Sequence, residues 1–377
     1  MRLKKSYKEI LTYKDLQIID GLAKYSPRNI MKISREIGIP ESTIRYRIKV
    51  LKNKGVLQLY TNIYHTNIGL KKHVVFATFS PEFNGKIYEF FDAYSPLNIF
   101  KVYGNRPTVY SVHIIPPYLS KHFRNYLDEL KNLGIVDNYK LLYSTCYHNI
   151  NPTSDWFDIL SKSWYFGWDT LVEDIDSASS KLPITLMDPD DFPILADKLD
   201  IMILRLLETD PTISYSEMAK RFGTTPQNIK YHFENHIEKN FLIEDYDIQL
   251  FRFPRETSIY VYSLMEFTSW KNMAKTANTL RKRAFSEILG KILGKNMLLG
   301  IFYLPIEELW SLITKFNELV KIGILKNYEI YISSANEYGE AFTIPYRYFK
   351  DGRWVYPSPD YYIERLHRIF NEYKVSS

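Results

Sequence analysis

The sequence predicts an α+β chain of two tandem units, each placing three short helices ahead of an antiparallel βαββαβ sandwich. Three observations predict it. The chain repeats itself: a shift of 185 positions lays residues 15–57 on 200–242 without a gap, with Asp15 on Asp200, Leu22 on Leu207, Gly38 on Gly223, Ile44 on Ile229, Tyr46 on Tyr231 and Leu57 on Leu242. Within each repeat the apolar period changes from helical to alternating. The length, 377 residues, asks for two to four domains at about 100–200 residues each.

Taken in order, Leu16, Ile19 and Leu22 make the first apolar stripe, Ile30, Ile33 and Ile37 the second, and Ile44, Ile48 and Leu51 the third, all at helical spacing. Between the second and third lies GIPES. Gly38 stops one helix and Pro40 suits the start of the next, so a turn of about four residues sets them at a steep angle, as in a helix-turn-helix. Gly55 ends the third helix, and VLQLYTNIY alternates as a β-wing does. HVVFATFS then reads as a strand, KIYEFFDAY as a helix, the flanks of YGNRPT as two strands, 119–132 as a helix and IVDNYKLLYST as a final strand. This order is that of a ferredoxin-like sandwich with helices on one face. The second unit repeats it with SIYVYSLMEF, a helix over 270–282, strands around GKNM, a helix over 306–321 and ILKNYEIYIS. The aromatic stretches WYFGW (164–168) and WVYPSPDYY (354–362) sit at matching distances behind the two units.

The boundaries that follow are a winged helix-turn-helix over 1–68, a ferredoxin-like domain over 69–150, an aromatic and acidic linker over 151–196, a second winged helix-turn-helix over 197–255, a second ferredoxin-like domain over 256–335 and an aromatic extension over 336–377. The Ser, Pro and Asp of the linker mark it as a spacer, although WFDILSKSWYF is too apolar for disorder. The clusters Trp156, Trp164, Tyr165, Phe166, Trp168 and Tyr346, Tyr348, Phe349, Trp354, Tyr356 read as core or interface rather than as stacking platforms for bases.

Composition narrows the function. No apolar run reaches the roughly 18–20 residues of a bilayer span, and the basic amino terminus lacks a signal's apolar core, so a cytoplasmic protein without a membrane partner is expected. The single cysteine, Cys146, excludes an intramolecular disulfide and a Cys-rich zinc site. The net charge of +6 is uneven: residues 1–60 carry +9 and residues 151–200 carry −8. A basic segment of that size suits a polyanion.

The residues DLQIID and KLDIMILRLL at the first helices, EIGIPESTIRYRIKVLKNKGVL across the turn and third helix, Gly104 in KVYGNRPTVYSVHI, and GIVDNYKLLYST at the last strand resemble the Lrp/AsnC family of feast-or-famine transcription regulators. The resemblance covers about residues 12–146 and 197–334. It implies a DNA-binding transcription regulator, here in tandem, so that the family's dimer is built within one chain or a homodimer of tandems forms. Pro40 stands where the family places a Ser or Thr cap. The turns Gly-Asn-Arg-Pro and Gly-Lys-Asn-Met lack the acidic residue of the family's effector pocket, so a small-molecule effector stays unknown.

Double-stranded DNA is the expected partner, and no cofactor or metal is expected. With Ile44, Ile48 and Leu51 turned inward, the third helix offers Ser42, Thr43, Arg45, Tyr46 and Lys49 outward, flanked by Arg47 and Lys52. Arg28, Lys32 and Arg35 are the candidates for positioning phosphates. The corresponding set in the second unit, Gln227, Asn228, Lys230 and Tyr231, is interrupted by Glu234 and Glu238, which phosphates repel, so the first unit is expected to be the principal reader. His232 and His236 have the i, i+4 spacing of a metal pair but no evident third ligand in sequence. GKILGKN lacks the glycine spacing of a phosphate loop and reads as a strand. Two other functions compete: a tetrapyrrole enzyme like the siroheme decarboxylases, for which Arg106, Tyr110 and His113 are the candidates, and a protein-interaction adaptor. The basic third helix argues for the regulator, and the expectation is of a protein that is not an enzyme.

Overall fold

The computed structural model describes residues 11–94, 96–145, 148–149, 153–158, 160–335 and 343–376. Cys146 and the first ten residues lie outside them. The first unit runs α1 (Tyr13–Tyr25), α2 (Ile30–Ile37), α3 (Glu41–Asn53), β1 (Leu57–Ile63), β2 (Lys71–Phe79), α4 (Ile87–Phe91), β3 (Pro96–Tyr103), β4 (Pro107–Ile115), α5 (Ser120–Asn132) and β5 (Val136–Ser144). The linker holds β6 (His148–Asn149), β7 (Phe157–Asp158), β8 (Ser163–Trp164) and α6 (Leu171–Ser177). The second unit runs α7 (Lys198–Thr209), α8 (Tyr215–Phe222), α9 (Pro226–His232) with a π-helical turn over Phe233–Ile237, β9 (Ile243–Leu250), β10 (Ser258–Phe267), α10 (Trp270–Leu280), β11 (Ser286–Lys291), β12 (Met297–Pro305), α11 (Leu309–Lys321) and β13 (Leu325–Ser334). Then follow β14 (Phe349–Lys350), β15 (Arg353–Trp354) and α12 (Pro359–Ser376).

The α+β tandem expected from the sequence is present. Gly38 and Gly223 both end the second helix of their unit in the left-handed region, at φ 67° and 64°, where a side chain would be strained. The third helices begin differently. Thr225 caps α9 by accepting the Asn228 N–H at 3.2 Å, with Pro226 in the first turn, whereas Pro40 precedes α3 with no side-chain cap.

The two units interlock. Each helix-turn-helix is followed by one strand, so neither can build a wing alone; β1 and β9 pair antiparallel across the units, from Leu57 opposite Leu250 to Ile63 opposite Ile243. The two four-stranded sheets, ordered β5-β2-β4-β3 and β13-β10-β12-β11, join where Ile332 pairs with Tyr103. They meet again where Ser144 bridges Ile292 and the Leu293 N–H reaches the Tyr143 carbonyl at 2.8 Å. The inner faces are apolar and aromatic: Phe76 stacks on Tyr331 at 4.6 Å and Tyr110 lies 4.6 Å from Tyr262. The outer faces carry the helices.

The linker is not a spacer. Its hairpin β7–β8 and the C-terminal hairpin β14–β15 are copies, each closing on a buried tryptophan, Trp164 or Trp354. Each tail packs on the other unit. In the linker, Trp168 stacks on Phe285 at 4.4 Å, while at the carboxyl end Tyr362 stacks on Tyr94 at 3.9 Å and Leu366 joins the core beside α5. The linker's acidity serves this docking: Asp174 binds Arg283 at 2.5 Å and Asp188 binds Lys291, cations whose side chains are 1% and 2% exposed. Buried cations need such partners, because an unpaired one costs several kcal/mol of desolvation, on the order of 3–5 when one partner is removed.

Candidate nucleic-acid interface

Helix α3 buries Ile44, Ile48 and Leu51 and leaves Ser42, Arg45, Tyr46, Lys49 and Lys52 exposed, with Thr43 half-buried. Arg45 and Tyr46 are both 64% exposed, and Arg45 is 3.6 Å from the half-buried Glu41 one turn earlier. On α2, exposed Lys32 lies over the Tyr25 ring at 5.0 Å, and Arg35 rests on the Met31 sulfur at 3.2 Å. The structure thus brings a basic and polar face to one side of the first helix-turn-helix, with Glu36 and Glu41 at its edge.

Two of the sequence candidates are engaged elsewhere. Arg47 makes a bidentate pair with Asp15, at 2.6 and 2.5 Å, and the Asp15 side chain is fully buried. It fastens α3 to the start of α1, and the adjacent carboxylate holds its guanidinium above the ordinary arginine pKa. Arg28 donates to the carbonyls of Pro211 and Ile213, at 2.9 and 3.1 Å, and stacks over Phe233 at 4.7 Å, tying the first helix-turn-helix to the second. Neither guanidinium is available to phosphate. The spacing that exposes Arg45 and Lys49 does not reveal these partners, which lie 32 and more than 180 residues away.

In the second unit Gln227, Lys230 and Tyr231 are exposed. The Asn228 side chain donates to Thr224 at 3.1 Å, and Lys230 sits 3.6 Å from Glu234. His232 and His236 both turn toward Asp200 at the start of α7, with Asp197 beside it. Two carboxylates therefore join the histidine pair that stood alone in sequence, which corrects the reading of that pair as lacking further ligands.

A half-buried ionisable cluster lies on the wing ribbon. Asn62, Tyr60 and Gln58 of β1 face Asp245, Asp247 and Gln249 of β9 in register, and Arg252 pairs with Glu287 beside them. Burial pushes the Asp245 carboxyl up to about 7 and that of Asp247, beside Glu287 and Asp245, up to about 8; Glu287 is also raised by burial. Between its unfolded and folded pKa values such a carboxyl is protonated in the folded chain and ionised in the unfolded one. The stability it contributes is complete below the unfolded pKa and is lost as pH rises through the folded one. Unfolding free energy should therefore fall from about pH 4 to about pH 8, and Asp247→Asn should make that fall shallower. Urea titrations across this range check it; an unchanged slope in the variant refutes it.

Arg106, Tyr110 and His113 do not converge. Arg106 is exposed and pairs with Asp137 at 2.5 Å. Tyr110 is buried between the sheets, and His113 is buried on the helix-covered face beside Phe123, where burial lowers its imidazole to about 3.

An AsnC-type helix-turn-helix domain model matches residues 197–231, the second of the two copies. The chain is 27% identical over 110 residues to an uncharacterized HTH-type transcriptional regulator of Pyrococcus furiosus, covering 28% of this chain and 67% of that protein. It is 34% identical over 64 residues to one of Pyrococcus horikoshii, covering 16% of this chain and 43% of that protein. Among solved structures, the siroheme decarboxylase NirDL superimposes over 96% of this chain and 98% of its own, with TM-score 0.52 and 12% identity. Its complex with an iron-uroporphyrin III analogue gives TM-score 0.50. This likeness shows the tandem fold, and it overturns the expectation that the chain is not an enzyme, because the structure that shares its whole architecture belongs to one. Among the described residues no helix is long and apolar enough to cross a membrane.

Proposed function

Because the chain belongs to the Lrp/AsnC family, we propose that it is a sequence-specific DNA-binding transcription regulator whose first helix-turn-helix is the principal reader. The observation that carries this is the exposed face of α3, where Arg45, Tyr46, Lys49 and Lys52 stand clear of the core. In the second unit the same surface holds Glu234 against Lys230. The interlocked sandwiches and shared wing ribbon fix the two helix-turn-helix copies against each other within one chain. The test is titration of mixed-sequence duplex across about 50–200 mM salt: neutralised phosphates release counterions, so affinity should fall steeply with salt, and binding indifferent to salt counts against the reading.

The whole-chain likeness to NirDL supports a second reading, an enzyme acting on a tetrapyrrole. The half-buried cluster of Asp245, Asp247, Glu287 and Arg252 would supply its acid–base groups, since carboxyls pushed toward neutral pH are suited to proton transfer. On this reading, iron uroporphyrin added to the protein should show a shifted and saturating Soret band, with a changed pH profile in Asp247→Asn. A spectrum equal to that of the free porphyrin removes it.

A further inference from the structure

We infer that Asp197, Asp200, His232 and His236 form a binding site for one divalent transition-metal ion, joining the first and third helices of the second helix-turn-helix. One donor atom from each residue falls in a group whose members all lie within 4.8 Å of one another. His232 Nδ1 is 2.8 Å from Asp200 Oδ1, and His236 Nδ1 is 3.1 Å from Asp200 Oδ2. Both nitrogens are 3.7 Å from Asp197 Oδ2. Four ligands at about 2.0–2.2 Å from a tetrahedral ion stand about 3.3–3.6 Å apart, so small shifts bring this set onto a metal. The 3.7 Å separations are too long for hydrogen bonds but near that ligand spacing.

The carboxylates are held in place by the backbone. Asp197 and Asp200 form a reciprocal cap, with Asp197 Oδ1 accepting the Asp200 N–H at 2.9 Å and Asp200 Oδ2 accepting the Asp197 N–H at 2.8 Å. This leaves Asp197 Oδ2 on the side of the imidazoles. The third ligating segment is distorted: His236 lies in the π-helical turn Phe233–Ile237, a departure from α geometry found frequently at functional sites.

The first unit is the internal control. Its buried Asp15 stands where Asp200 does, and Arg47 supplies a permanent positive charge to it. Between the copies Thr12 becomes Asp197, Arg47 becomes His232 and Leu51 becomes His236. The first two changes replace the partners of the buried carboxylate by metal-ligating types, the third follows from the π-helical turn, which brings His236 to the position in sequence of the core residue Leu51, and together they trade a fixed cation for two imidazoles beside two carboxylates. Asp200, whose side chain is fully buried, then lacks arginine's permanent charge, which a dication would replace. Imidazole nitrogens with carboxylate oxygens and no thiolate favour zinc, cobalt or nickel over calcium or magnesium.

The test is independent of DNA binding. Full-length protein stripped with a chelator is titrated with Co²⁺, read by visible absorption, and with Zn²⁺, read by calorimetry and thermal unfolding. One Co²⁺ per chain with the intense bands of a tetrahedral ion, and a melting temperature raised by Zn²⁺, are expected. The comparison variant carries Asp197→Thr and His232→Arg, which give Asp200 the partners that Asp15 has in the first unit, together with His236→Leu; His232→Arg alone is measured beside it. Losing a group that only orients a ligand costs 10–100-fold in affinity, so losing ligands should weaken binding by at least about 100-fold. Absence of stoichiometric binding in the parent chain, or equal binding by the folded variants, overturns the site and leaves a histidine–aspartate hydrogen-bond network in its place.

Discussion

Reversing the charge of Arg45 and Lys49 to glutamate is expected to lower affinity for duplex DNA by roughly 100-fold near 100 mM salt and to flatten the slope of log affinity against log salt by about 2, since each neutralised phosphate contributes about 0.9. Both side chains project from the exposed face of α3. The ion pair of Arg45 with Glu41 at 3.6 Å is solvated and contributes at most about 1 kcal/mol, too little to hold Arg45 from a phosphate. The same reversal at Lys230 should change little, because Glu234 already faces it and exposed Glu238 follows one turn later. Gel-shift or anisotropy titrations of the variants on one duplex decide it. Equal losses from the two units would end the asymmetry, and the match of the AsnC-type model to the second copy makes that comparison necessary.

What the sequence showed and what it hid divide along the range of the interactions. The helices and strands were legible because each is set by local periodicity and stated twice: Ile44, Ile48 and Leu51 recur as Ile229, Phe233 and Ile237, all buried. The last of these is displaced by one residue, because a π-helical turn intervenes. The interlocking was not legible. A single strand after α3 reads as a wing, but only its pairing with β9 makes a ribbon, and hydrogen bonding across the units leaves no periodic trace. Asp245, Asp247 and Gln249 alternate along β9, and only their pairing with β1 and the approach of Arg252 and Glu287 to Asp247 enclose the carboxyls. The linker's acidity likewise reads as solvation until Arg283 and Lys291 are found to need it. Arg47 departs from its expected place among the phosphate contacts for the same reason. Helical spacing places it at the edge of the exposed face, and its partner lies in another helix.

That edge position is where the second large effect is expected. Arg47→Ala should destabilise the first helix-turn-helix by about 3–5 kcal/mol, because it leaves the Asp15 carboxylate buried without a counter-charge. Asp15 cannot turn to water: it also caps α1, accepting the Thr12 N–H at 2.8 Å, and its side chain is fully buried. Asp15→Asn together with Arg47→Leu removes both charges while keeping a capping acceptor, and should recover most of the loss. Denaturant unfolding of the two singles and the double gives the coupling directly, and a coupling near zero would show that the pair does not hold α3 on α1. DNA binding measured under conditions where each variant is folded then separates the roles. Arg47 variants should keep near-parental affinity per folded molecule while Lys49→Glu does not, because the Arg47 guanidinium is spent on Asp15 before any phosphate arrives.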